Sequence, residues 1–165
     1  MIEREDPPLI GDERAMLEGW LDFHRATLLH KCEGLTGAQL AQRSVPPSGM
    51  SLQGLVRHLT LVERAWFRRP FGADEDPEPL PWGQDFQRTD PACAEDDLVA
   101  YRIEVERCRQ VTGPLDLDSI GLGRRGGREV SVSLRWVYLH MIEEYARHNG
   151  HADLLRERVD GVTGV

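Results

Sequence analysis

The stretch from Val132 to about residue 158 constrains this chain most: it contains no proline and a single glycine, Gly150. At 1.5 Å per residue it predicts a helix of roughly 40 Å, the longest element in the chain. Three other segments carry apolar side chains at helical spacing. Residues 12–33 place Leu17, Trp20, Leu21, Leu28 and Cys32 on one stripe, shared with His24, and Gly34 ends that helix. A short helical stretch, 37–42, precedes the break at Pro46-Pro47-Ser48-Gly49. Ser51 then caps a helix over about 51–69 whose Leu52, Leu55, Leu59, Val62 and Trp66 share a face, with Pro70 as its stop. Leu98, Tyr101, Val105 and Cys108 predict a further helix over about 95–111, with Asp96 and Asp97 at the positive end of its dipole. Four long helices joined by two long connections predict an all-α fold, a four-helix bundle. A length of 165 residues fits one domain, 1–165, and leaves little room for a second core.

The two long connections differ in character. Residues 70–93 include Ala73-Asp74-Glu75-Asp76-Pro77-Glu78-Pro79 and read as an acidic, proline-rich surface loop. Residues 113–129 also read as loop. No pair of segments alternates convincingly as strands, and Arg128 to Val132 is the best short candidate. Gly121-Leu122-Gly123-Arg124-Arg125-Gly126 matches the Gly-x-Gly-x-x-Gly pattern of dinucleotide sites. With no strand before it and no strand–helix alternation, it reads as a flexible turn instead. Arg124, Arg125 and Arg128 could attract an anionic substrate such as a carboxylate.

Charge narrows the partners. Lys and Arg number 20 against 28 Asp and Glu, a net charge of −8, opposite in sign to that of most nucleic-acid binders. DNA, RNA and anionic membranes are therefore excluded as expected partners. The N-terminal residues hold no apolar signal core, and no segment approaches the roughly 18 apolar residues of a spanning helix. The expected location is cytoplasmic. Cys32, Cys93 and Cys108 form no Cys-x-x-Cys pair, so they read as two packed thiols and one loop thiol rather than as disulfides or a cysteine zinc site.

The residues that carry chemistry are histidines and acids. His140, His148 and His151 share the last helix with Glu143 and Glu144. Glu144 and His148 lie about 40° apart around that helix and about 6 Å apart along it, so both can reach one metal ion. A third ligand must come from another helix, and His58 is the only histidine of the second long one. His58, Glu144 and His148 together make a two-histidine, one-carboxylate set suited to Zn²⁺, Fe²⁺ or Ni²⁺, with a coordination position left for substrate or water. His140 with Glu144 is the competing clamp. His151, about 20° from Glu144 around the axis, could substitute as a ligand or support one by hydrogen bonding.

Two motifs carry a family resemblance across almost the whole chain. Val45-Pro46-Pro47-Ser48-Gly49-Met50-Ser51-Leu52, with Gly54-Leu55-Val56-Arg57-His58-Leu59 and Val62-Glu63-Arg64-Ala65-Trp66-Phe67, resembles the second-helix signature of the DinB/YfiT-like metalloenzyme superfamily. The run His140-Met141-Ile142-Glu143-Glu144-Tyr145-Ala146-Arg147-His148-Asn149-Gly150-His151 resembles that superfamily's closing helix. The resemblance implies a four-helix bundle holding a divalent metal, Zn²⁺ first with Ni²⁺ or Fe²⁺ as alternatives. Many members use three histidines, whereas a relative, mycothiol-dependent maleylpyruvate isomerase, uses two His and one Glu; this chain matches the latter at His58, Glu144 and His148. Relatives act as S-transferases or isomerases on small-molecule substrates with a low-molecular-weight thiol such as mycothiol. The isomerase carries a further C-terminal domain for which this chain has no room, so its particular reaction is not expected here.

Three functions follow from these readings. The first is a divalent-metal-dependent transferase or isomerase in which the metal activates a thiol or a water. The second is a non-catalytic metal- or small-molecule-binding protein, stress-associated, and the third a structural bundle forming a homodimer through an exposed helix face. Glu63, about 140° around its helix from His58, reads as part of an ion pair rather than as a ligand. Trp20, Trp66 and Trp136 read as core residues and Trp82 as a pocket wall.

Overall fold

The computed structural model describes residues 4–72, 80, 82–87 and 89–163, and the acidic segment 73–79 lies outside these described residues. The fold is mostly helical. Helix α1 (Glu13–Cys32) starts at Asp12, whose side chain accepts from the Ala15 N–H. A short α2 (Gly37–Ala41) is closed by a reciprocal capping box between Thr36 and Gln39. Helix α3 (Leu52–Glu63) is capped by Ser51 and continues through a π-helical turn, Arg64–Arg68, into a last turn, α4 (Arg69–Phe71). Pro70 therefore lies inside this element and not at its end: it occupies an early position of the final turn, which closes at Gly72. A 3₁₀ turn, Pro91–Cys93, leads into α5 (Ala94–Thr112), which carries Glu95, Asp96 and Asp97 in its first turn.

The segment expected to be loop between α5 and the last helix contains a hairpin. Strand β1 (Ile120–Arg125) pairs antiparallel with β2 (Arg128–Ser133), in register from Ile120 opposite Ser133 to Arg125 opposite Arg128. Gly126 and Gly127, at φ of 57° and 78°, form its two-residue turn. Five residues of the glycine-rich motif, Gly121 to Arg125, thus lie in a strand and its last, Gly126, in the hairpin turn, and the motif is no dinucleotide loop. Its alternation is inverted: Gly121 and Gly123 are buried while Ile120 and Leu122 are exposed. A Cβ on Gly121 would lie 2.5 Å from the Pro70 carbonyl oxygen, so the inward face must be bare for the strand to lie on α4. Helix α6 (Leu134–Asp160) consequently starts two residues later than the spacing predicts, at the Ser133 cap, and ends at Gly161 with φ 78°.

The long helices pack in pairs, α1 along α6 and α3 along α5, with α3 also touching α1 and α6. Leu21 and Leu28 of α1, Leu55 and Leu59 of α3, Tyr101 of α5 and Met141 of α6 are almost wholly buried between them. Trp66 and Trp136 pack against this core and each other, with ring centroids 5.2 Å apart. Trp20, expected in the core, is instead 44% exposed. Among the described residues no helix is long and apolar enough to cross a membrane.

A polar knot crosses the apolar interior. Arg25 of α1 donates through Nε and Nη2 to both oxygens of Glu63 on α3, at 2.8 and 2.7 Å. Tyr145 of α6 donates to Glu63 Oε1 at 2.7 Å, and its oxygen lies 2.8 Å from the Tyr101 hydroxyl of α5. Burial, with the Glu63 charge adding to it, pushes both phenols above their ordinary range, so both remain protonated donors. Glu63 is thus the expected ion-pair residue, but its partner comes from α1, not from its own helix.

Arg25→Met leaves the wholly buried Glu63 carboxylate without its cation. The expected loss is about 3–5 kcal/mol of unfolding free energy, read as a lower midpoint in urea unfolding with an unchanged slope. A midpoint equal to that of the wild type would show that the pair contributes nothing.

Candidate functional site

His58 sits one residue before the buried Leu59 on α3, at the edge of that helix's apolar face. One turn earlier, Gly54 allows the loop 82–87 to lie directly on the helix, because a Cβ there would come within 2.9 Å of the Phe86 ring. The loop thereby brings Asp85, only 3% exposed, against His58, with 2.7 Å between His58 Nδ1 and Asp85 Oδ2. The Phe86 and Trp82 rings flank the imidazole, with centroids 5.2 and 6.3 Å away. Trp82, expected as a pocket wall, lies beside His58 and is 51% exposed.

From α6, Glu144 and His148 face the same point. His148 Nε2 lies 3.3 Å from Glu144 Oε2, and the His58 and His148 ring centroids are 4.7 Å apart. One donor atom from each of His58, Glu144 and His148 falls within 4.8 Å of the others. The structure thus brings together the three residues that the spacing of the sequence singles out.

Electrostatics prepares these groups to act as lone-pair donors. Burial is the largest influence on His58 and holds its pKa below the ordinary imidazole range, against the opposing hydrogen bond to Asp85. A neutral imidazole bonded through Nδ1 to a carboxylate carries its proton on Nδ1, which leaves the Nε2 lone pair available. The hydrogen bond with His148 keeps Glu144 below the usual carboxylate range, so it is charged at neutral pH. Two imidazoles and one carboxylate, with two donor atoms spaced like neighbouring ligands on bonds of about 2.1 Å, are a donor set fit for a divalent transition metal.

A second group overlaps the first. His140, Glu143 and Glu144 also offer donor atoms within 4.8 Å of one another. The His140 ring stacks on Trp136 at 4.9 Å and meets the edge of Trp66 at 4.6 Å. Glu143 is half exposed and paired with Arg147. His151 belongs to neither group; its Nδ1 lies 3.4 Å from His148 Nδ1, which places it behind a candidate ligand. The three arginines of the hairpin are exposed, with Arg125 lying over the Trp136 ring at 6.0 Å.

Asp85 is the residue that sequence spacing misses. It lies 27 positions from His58 in an irregular loop, where no periodicity announces a contact. The available signal is Gly54, a glycine inside a helix, which marks the close approach of another segment.

A family model described as Mycothiol-S-transferase matches residues 16–161, well over half of the chain. No curated protein matches it.

The thiols divide as expected into two buried and one exposed. Burial pushes Cys32 up to about 12 and raises Cys108 as well, while Cys93 is exposed and raised chiefly by the neighbouring Asp90 charge. Iodoacetamide should therefore label Cys93 alone in the native protein, faster as pH rises, and all three cysteines after denaturation. Native labelling of Cys32 or Cys108, followed by peptide mass spectrometry, would contradict this assignment.

Proposed function

We propose, from the premise that this chain belongs to the mycothiol S-transferase family, a DinB/YfiT-like family, that it is a divalent-metal-dependent transferase using a low-molecular-weight thiol. On this reading residues 1–165 are a single domain, and the four long helices are a four-helix bundle with its metal centre between α3 and α6. The observation that carries the proposal is the convergence of His58, Glu144 and His148 from two helices, with Asp85 behind His58.

His58, Glu144 and His148 would hold the cation, with Zn²⁺ the expected metal and Ni²⁺ or Fe²⁺ the alternatives. When bound there, it supplies positive charge that lowers the pKa of a thiol or water. The remaining work belongs to the chain. Asp85 fixes the His58 ring so that Nε2 faces the site, and a buried carboxylate in this role raises the basicity of its imidazole. His151 Nδ1 meets the other ring nitrogen of His148, Nδ1. Trp82 and Phe86 cover His58 with aromatic surface, which limits water and gives the electrophilic substrate an apolar wall. The thiol sulfur would form a new bond to the electrophilic carbon of a small-molecule substrate, while the thiol proton passes to solvent and the leaving group departs.

Metal analysis and thiol consumption test this together. Purified wild-type protein should hold about one equivalent of divalent metal, as three protein ligands imply, and His58→Ala, Glu144→Gln and His148→Ala should each hold far less. Consumption of mycothiol in the presence of an alkyl halide should stop on chelation and return on adding Zn²⁺. Unchanged metal content in all three variants would overturn the ligand assignment, and metal-independent consumption would overturn the role of the metal. Metal binding without any thiol consumption would favour the non-catalytic reading.

Asp85→Asn probes the support behind His58. Its metal affinity should fall about 10–100-fold, measured by competition with a chromophoric chelator, while circular dichroism is unchanged. Wild-type affinity in this variant would remove Asp85 from the mechanism.

A further inference from the structure

A second concave site shares Asp85. A cleft of about 400 Å³ runs between α3 and α5, lined by Arg57, Thr60 and Leu61 from α3 and by Asp96, Asp97 and Ala100 from α5. Asp85 and Cys93 complete its wall. The chemistry of this wall is unbalanced toward acceptors. Asp85 is almost wholly buried, and its Oδ2 is taken by His58, but among the described residues its Oδ1 has no hydrogen-bond partner. Gln53, one turn before Arg57 on α3 and 2% exposed, repeats the pattern beside the cleft: its amide nitrogen donates to Asp97 Oδ2 and the Asp90 carbonyl, while Oε1 has no hydrogen-bond partner among the described residues. A buried acceptor without a donor is unfavourable, and Asp85 Oδ1 is such an atom on a residue that lines the cleft.

The complement to this wall is a ligand with several donors and no acceptors. Three carboxylates, set against the single guanidinium of Arg57, disfavour an anionic ligand, and the net charge of −8 attracts cations in general. A protonated amine has three N–H donors and no acceptor. Leu61, Ala100 and the methyl group of Thr60 offer apolar surface to a short aliphatic chain.

We propose that the α3–α5 cleft binds a protonated aliphatic amine, with its ammonium group donating to Asp85 Oδ1 and to the Asp96 and Asp97 carboxylates and its chain lying on Leu61 and Ala100. This site is additional to the transferase reading and does not depend on a metal. Its occupant would nevertheless touch the carboxylate that orients His58, so the two sites meet at one side chain.

Titration of n-butylammonium into the full-length protein, followed by ligand-observed NMR, tests the inference, with n-butanol and potassium ion as controls. The measurement is made on chelator-treated and on zinc-loaded protein. Saturable binding of the amine in both states, absent for the two controls, is the expected result, together with slower alkylation of Cys93 by iodoacetamide at saturation. Asp97→Asn should weaken binding about tenfold, the equivalent of one charge-assisted hydrogen bond. Asp96→Asn, at an exposed position, should weaken it in the same direction should the first variant fail to fold. Amine binding no stronger than that of butanol or potassium would show that the cleft does not recognise an ammonium group and would overturn the proposal. So would wild-type affinity in a folded Asp96→Asn or Asp97→Asn variant, and binding confined to the zinc-loaded protein would move the amine to the His58 centre.

Discussion

The bidentate pair between Arg25 and Glu63 is the contact on which the arrangement of the helices depends. It joins α1 to α3 in the apolar interior, and the hydroxyls of Tyr145 and Tyr101 extend it to α6 and α5, so one carboxylate is tied to all four long helices. Apolar contacts such as those of Leu28 or Leu59 tolerate sliding by a fraction of a turn, because dispersion has little direction. A carboxylate that must accept from a guanidinium fork and a phenol does not, since misalignment leaves a charge buried without compensation. The knot therefore sets the register between helices that apolar packing alone leaves adjustable.

That register matters because the candidate site hangs from the same two helices. His58 lies five residues before Glu63 on α3, and Glu144 is the immediate neighbour of Tyr145 on α6. Fixing Glu63 against Tyr145 thus fixes the distance between the segments that bear His58 and Glu144, and His148 follows one turn later. A slip of one helix relative to the other by a single residue, about 1.5 Å, would be enough to separate donor atoms that now lie within 4.8 Å. Pre-organisation of this kind lets the site keep its geometry without a ligand to hold it together.

Helical periodicity made most of this architecture legible in the sequence. The stripes of α1, α3 and α5 are read from residues such as Leu21, Leu55 and Tyr101, α6 from an uninterrupted run with a single glycine, and the Glu144–His148 clamp follows from a spacing of four on a single helix. The hairpin was not legible, because its buried positions are Gly121 and Gly123 and its apolar side chains, Ile120 and Leu122, face solvent. A rule that reads burial from hydrophobicity fails where the buried face must be empty to fit against α4. Asp85 and Arg25 were hidden for another reason: each meets its partner across a long stretch of chain, 27 residues to His58 and 38 to Glu63, and no local pattern encodes such a contact. Trp20 shows the opposite error, since a tryptophan on a periodic stripe lies at the stripe's edge and remains 44% exposed.

Glu144 stands between two possible partners, and the structure gives grounds for choosing. Its group with His140 includes Glu143, which is half exposed and already paired with Arg147, while the His140 ring is held against Trp136 and Trp66. Recruiting these groups to an ion would break a surface ion pair and gain a ligand with a large entropy of its own. In the group with His58, His58 is oriented by Asp85, His148 is buried beside His151, and Glu144, whose contact with Arg147 is the longer one at 3.8 Å, lies 3.3 Å from His148. The difference is one of support: among the described residues His58 has a buried carboxylate, Asp85, that sets which nitrogen carries the proton, whereas the carboxylate beside His140 is the half-exposed Glu143. Among the described residues the second oxygen of that carboxylate has no donor, so the residue that supports His58 also lines the neighbouring cleft.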